Sequence, residues 1–203
     1  MAKTDRESPR VYRMGARADA AAATGERILD AAVELFWEQP TDTFSLDDVA
    51  HRAGVTVQTV IRRFGGREGL IAAAVARESE RVRTQRDEAP VGDVAVAVRV
   101  LVEHYEQTGQ RVLRMLAEQS RIPTLAAIVD SGRALHRQWC ARVFAPALAG
   151  RSGVDRQRRL AQLVAVCDVY MWKLLRLDAG LSRRQTELAL VELLTPITTA
   201  GSR

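Results

Sequence analysis

Two short stretches with apolar residues at helical spacing lie between Ser45 and Phe64, and only Ala53-Gly54-Val55-Thr56 separates them. That spacing constrains the fold more than any other feature of the chain. Leu46, Val49 and Ala50 mark the first stretch, and Val57, Val60, Ile61 and Phe64 the second. Ser45 and Thr56 are the residue types that cap helix N-termini, and Asp47 and Asp48 suit the positive end of the first helix. Gly54 suits the left-handed turn that closes it. Two helices joined this tightly form a helix-turn-helix, whose second member is sized for the major groove of DNA.

The side chains of that second helix sort into two faces. Val55, Val60 and Phe64 face the preceding helices, which leaves Thr56, Val57, Gln58, Thr59, Arg62 and Arg63 outward. Gln58 is suited to adenine, Arg62 to guanine and Val57 to a thymine methyl, so these three are the expected base readers. Ser45, Thr56, Thr59, Arg63 and Arg67 are the expected phosphate contacts.

The rest of the chain carries no strand signal, and the predicted class is all-α. An upstream helix capped by Thr24 is expected over Ile28, Leu29, Ala32, Leu35 and Phe36, ending near Gln39-Pro40. Residues 1 to 24 mix basic and acidic residues without an amphipathic period and are expected to form a basic mobile arm. Arg67 opens a fourth helix, and Pro90-Val91-Gly92 is the expected domain boundary. This gives a small three-helix DNA-binding domain with its connecting helix over 25–88, and a larger helical domain over 90–203. In the latter, helices are expected around Val94–Tyr105, Gln110–Arg121, Leu125–Val143, Asp155–Asp178 and Ser182–Thr199.

Composition narrows the possibilities further. Lys and Arg total 30 against 25 Asp and Glu, a net charge of +5 that favours anionic partners without selecting nucleic acid. The apolar run from Leu163 to Cys167 is far short of the roughly 20 residues of a membrane span. Cys140 and Cys167 sit in apolar segments without a secretory leader, so reduced thiols in a cytoplasmic protein are expected. His136 and Cys140, four residues apart, supply half of a zinc site or a nucleophile–base pair, but no further ligand or oxyanion loop accompanies them. No metal, no cofactor and no catalytic constellation is predicted. A helical interaction module that does not bind DNA, or an enzyme built on Cys140 and His136, are the alternatives.

Three segments in order, RILDAAVELF from Arg27, SLDDVAHRAGVT from Ser45 and FGGREGL from Phe64, closely resemble the TetR family of transcriptional regulators. The match spans about residues 25 to 72. It implies a homodimer with two DNA-reading domains and C-terminal domains that each enclose a small-molecule pocket, most simply a repressor released from a near-palindromic operator by ligand. Ile61 stands where the family usually has Tyr, and Arg63 where His is common. This exchange of a hydroxyl for a charge makes backbone binding more dependent on salt. DVYMWKLLRLDAGLS from Asp168 to Ser182 resembles a subset of the family's C-terminal domains.

The pocket residues expected on position are Tyr105, Met115, His136, Trp139, Phe144, Asp168, Tyr170 and Met171, which suit a lipophilic or aromatic effector. Asp168, without a basic neighbour on its own helix face, needs a partner from elsewhere. The last two helices are apolar nearly all round, as a helix with a core on one side and a second copy of the chain on the other should be. Leu163, Val166, Trp172, Leu190, Leu194 and Ile197 are the expected dimer contacts. The helix expected from Gln110 to Arg121 is the candidate lever between ligand and reading head.

Overall fold

The computed structural model describes residues 9–38 and 44–199, with side chains from residue 19 onward in the first segment. Among them there is no strand, and the chain divides into two compact units, the first ending at Arg77 and the second beginning at Glu78.

The N-terminal unit contains α1 (Pro9–Glu38), α2 (Leu46–Ala53), α3 (Val57–Phe64) and the start of α4 (Arg67–Asp87). Helix α1 starts well before the expected position. Thr24 lies within it and its hydroxyl donates to the Ala20 carbonyl at 2.8 Å, so it is not the N-cap, and the segment from Pro9 to Thr24 is helix rather than arm. Residues 1–8 of the expected arm lie outside the described residues. The reason is propensity: Ala20 to Ala23 are the strongest helix formers and extend the helix without an amphipathic stripe. Ile28, Leu35, Phe44, Val49, Val60 and Leu70 are nearly inaccessible and form this unit's core.

Local chemistry fixes α2 and α3 as expected. The Ser45 hydroxyl accepts from the Asp48 backbone N–H at 3.1 Å, and the Asp48 carboxylate accepts from the Ser45 N–H at 2.8 Å, a reciprocal capping box. Gly54 closes α2 at φ 64°, a conformation that a side chain would strain. Hydrogen bonds from Ser45, its side chain foremost, hold the Asp48 carboxyl below the ordinary aspartate range. A depressed folded-state value means that its contribution is present at neutral pH and lost as pH falls through that value. Ser45→Ala should therefore cost about 1 kcal/mol at neutral pH and less in acid, as read by urea unfolding at the two conditions. An equal cost at both would show that the carboxylate plays no part.

The C-terminal unit holds the remainder of α4 with α5 (Val94–Glu118), α6 (Pro123–Val143), α7 (Ala145–Leu148), α8 (Gly153–Val166), α9 (Val169–Trp172), a π-helical segment (Lys173–Asp178) and α10 (Arg183–Thr199). Its core gathers Val98, Leu101, Tyr105, Trp139, Phe144, Leu163, Trp172, Leu190 and Leu194. The turn at Pro90-Val91-Gly92 separates two helices of this unit, because the division between units falls within α4.

Two expectations change here. Helix α5 is continuous over 25 residues, so there is no separate helix from Gln110 to Arg121 to act as a lever. The helix expected from Asp155 to Asp178 is broken at Cys167-Asp168. Asp168 is the N-cap of α9 and its carboxylate accepts from the Tyr170 N–H at 2.9 Å, so the partner it needs is backbone.

Candidate nucleic-acid interface

Helix α3 is held from behind and at both ends. Val60 is fully buried, Phe64 and Val55 pack partly against the same core, Thr56 caps the N-terminus and Gly65 closes the C-terminus at φ 78°. The opposite side is open: Gln58, Arg62 and Arg63 are exposed. Val57, expected among the base readers, is half-buried and packs in part on the core, so only part of its side chain faces outward.

The hydroxyls carry prior duties. Thr56 Oγ1 accepts from the Thr59 N–H at 3.2 Å and lies 2.9 Å from Thr59 Oγ1, while Ser45 is engaged with Asp48. Arg67 is half-buried with its guanidinium 5.0 Å from the Phe44 ring centroid, a cation–π contact that steadies the start of α4.

Charge is distributed unequally over this unit. Arg52 pairs with Glu38 at 2.7 Å, and Arg77 with Asp30 at 2.9 Å and Glu26 at 3.1 Å. Arg62 and Arg63 form no ion pair among the described residues. Thr24 and Arg27 from α1 face Thr56, Thr59, Arg62 and Arg63 across an open cleft of about 670 Å³. The Arg63 side chain lies against Gly25, over the place where a Cβ would sit. Thr24 and Arg27 were not among the expected contacts. The signal for them is that α1 continues through residue 24, which brings its polar face alongside α3.

The residues expected to line a ligand pocket differ widely in exposure. Tyr105, Trp139 and Phe144 are buried, Met115, His136, Asp168 and Met171 are half-buried, and Tyr170 is 51% exposed and faces outward. The Tyr105 hydroxyl donates to the Cys167 carbonyl at 3.0 Å, and Trp139 Nε1 donates to the Arg86 carbonyl at 2.9 Å. His136 Nε2 lies 3.8 Å from Cys140 Sγ, while its Nδ1 lies 2.8 Å from Arg86 Nη1. Cys140 is wholly buried, and among the described residues no group of three or more His, Cys, Asp or Glu is arranged to hold a metal.

The expected dimer contacts need correction as well. Leu163, Trp172, Leu190 and Leu194 are at most 3% exposed and seal their own chain's core, and Val166 and Ile197 pack partly on it. The large apolar residues left outside on these helices are Val154, Tyr170, Leu174, Leu177, Leu188 and Leu193. No helix among the described residues is long and apolar enough to cross a membrane.

A braced, outward-facing helix of this kind, followed by a helical C-terminal unit, defines a helix-turn-helix DNA-binding regulator. Residues 28–74 match the family profile "Bacterial regulatory proteins, tetR family". The HTH-type transcriptional repressor Rv3405c of Mycobacterium tuberculosis is 30% identical over 151 residues, covering 63% of this chain and 77% of the relative. The chain belongs to the TetR family and is a DNA-binding transcriptional regulator, not an enzyme. Solved structures agree on the fold. A transcriptional regulator from Rhodococcus sp. Rha1 aligns with a TM-score of 0.62 at 21% identity, covering 87% of this chain and 96% of the other. Salmonella enterica GusR aligns at 0.63 with 22% identity, covering 87% and 95%.

Proposed function

We propose that the chain is a repressor that works in the cytoplasm as a homodimer and leaves its operator when a small, largely apolar ligand binds the C-terminal unit. The observation that carries this reading is the two-sidedness of α3, with Val60 sealed inside, Gln58, Arg62 and Arg63 exposed, and no ion pair to either arginine among the described residues. Gln58 and Arg62 read base edges, and Val57 adds a methyl contact. Arg63, Thr59 and Arg67 hold phosphates, joined by Thr24 and Arg27 across the cleft. Repression is supported by the name of the mycobacterial relative. Ligand acts as an inducer only if it prefers the DNA-incompetent state, since equal affinity for both states shifts nothing.

The second copy covers the outer face of the last helices. Tyr170, Leu174 and Leu177 follow one another at helical intervals, and Leu188 and Leu193 expose further apolar surface on α10. The double substitution Leu174→Glu with Leu188→Glu should convert a dimer to a monomer in sedimentation, with little loss of helix content. It should also sharply weaken operator binding, because two half-sites are then no longer read together. A wild-type chain that sediments as a monomer at micromolar concentration would sink this assignment. Sites selected from random duplexes test the operator: they should be near-palindromic, with half-sites about one helical turn or slightly more apart.

A further inference from the structure

The C-terminal unit holds a buried guanidinium that forms no ion pair among the described residues. Arg86, near the end of α4, is only 5% exposed although it stands in a stretch of alternating charges. Its guanidinium lies over the rings of Tyr105 and Trp139, 5.6 and 5.2 Å from their centroids. Nη1 donates to Nδ1 of His136 at 2.8 Å, and the buried Nε has no hydrogen-bond partner among the described residues. The acids of this region have partners of their own, including Asp168, whose charge reaches Tyr105 together with that of Arg86 and whose carboxylate accepts from the Tyr170 N–H. Asp87 pairs with Arg142 at 2.8 Å, and Glu106 accepts from Arg176 and from Trp172 Nε1, each at 3.0 Å. Arg86 forms no ion pair among the described residues. A buried cation in this condition is costly unless an anion joins it.

The surrounding groups register the same positive potential. His104 is held neutral, its pKa lowered to about 3 by burial first and by Arg86 second. At Tyr105 burial outweighs that potential and raises the hydroxyl pKa, while Arg86 acts to lower it. The Cys140 thiol is pulled down, first by the hydrogen bond from Cys167, with His136 and Arg86 adding to it against burial. An anionic head group finds a charged donor here, and flat aromatic faces favour a ring-sized apolar body beside it. His136 is half-buried, so the cluster reaches the surface on that side.

We propose that the effector of the C-terminal unit is a small organic carboxylate with an apolar body, its head group held by Arg86 and its body set against Tyr105 and Trp139. This rests on the ligand-responsive reading above. The test uses the full chain with benzoate and phenylacetate as probes, and benzamide and phenylacetamide as uncharged counterparts, followed by tryptophan fluorescence and thermal melting. At least one carboxylate should bind saturably, roughly tenfold or more tighter than its amide, and raise Tm. Arg86→Met should abolish this response and Arg86→Lys should weaken it, because a lysine lacks the planar fork.

Amides that bind as well as the acids would remove the anion from the proposal and leave ligand response standing. Carboxylate binding that survives in Arg86→Met would place the site elsewhere and overturn the assignment. No saturable response to any of the four probes, with operator binding intact in a gel shift, would overturn the proposal but not the DNA-binding regulator. Without ligand, Arg86→Met should melt at or above the wild-type temperature, because it removes an unanswered charge. A sharp fall, including failure to fold, would mean that the charge is already compensated and would sink the premise.

Discussion

Replacing Gln58 or Arg62 with alanine should each weaken binding to the selected operator by about 1–3 kcal/mol, roughly five- to 150-fold, while leaving the helix content unchanged. Both side chains are exposed on α3, and neither supports the core that Val60 seals. The loss should be specific. Binding to random duplex, which depends on phosphate neutralisation, should change little for Gln58→Ala. Arg63→Ala should lower affinity for every sequence alike and flatten the salt dependence by about one unit of slope. A titration in which neither Gln58→Ala nor Arg62→Ala discriminates operator from random duplex would remove both from base reading.

Phe144→Ala should be among the most destabilising single changes in the C-terminal unit. Its ring is 1% exposed and meets Trp139 edge-on at 6.1 Å between centroids. Truncation there removes about 3–5 kcal/mol, which in a chain of this size corresponds to a fall in Tm on the order of 10 °C. The size of the effect separates two roles. A phenylalanine lining an open ligand cavity would lose part of that amount, whereas one packed on all sides loses it in full. A fall of only a degree or two would return Phe144 to the list of pocket residues.

The two helices around the turn are legible in the sequence because each signal is local. Ser45, Thr56, Gly54 and Gly65 act through their own backbone and that of their immediate neighbours, so caps and stops survive whatever the distant parts of the chain do. The start of α1 carries no amphipathic period, because the alanine run from Ala20 to Ala23 extends a helix without one. In the last two helices the class of element was readable but its orientation was not. Leucines on every side mean that sequence cannot say whether Leu190 or Leu188 points inward, and only packing assigns 1% exposure to the first and 54% to the second. Asp168 did carry a signal: aspartate is a capping residue, and it stands where α8 gives way to α9.

Arg86 was illegible for a different reason. Its neighbours Asp87 and Glu88 are exposed, so the stretch looks like a solvated face. Burial of the one guanidinium depends on Tyr105, some twenty residues away, and on Trp139, more than fifty away. Charge patterning within a segment cannot report partners at such distances.

The way α3 is mounted has a consequence for how such regulators diversify. The contacts that mount the helix come from Val55, Thr56, Val57, Val60, Phe64 and Gly65, and positions 58 and 62 are exposed and outside that core. Those two letters can be rewritten without loosening the mount, so a duplicated copy of this chain can acquire a new DNA address while inheriting its folding stability intact.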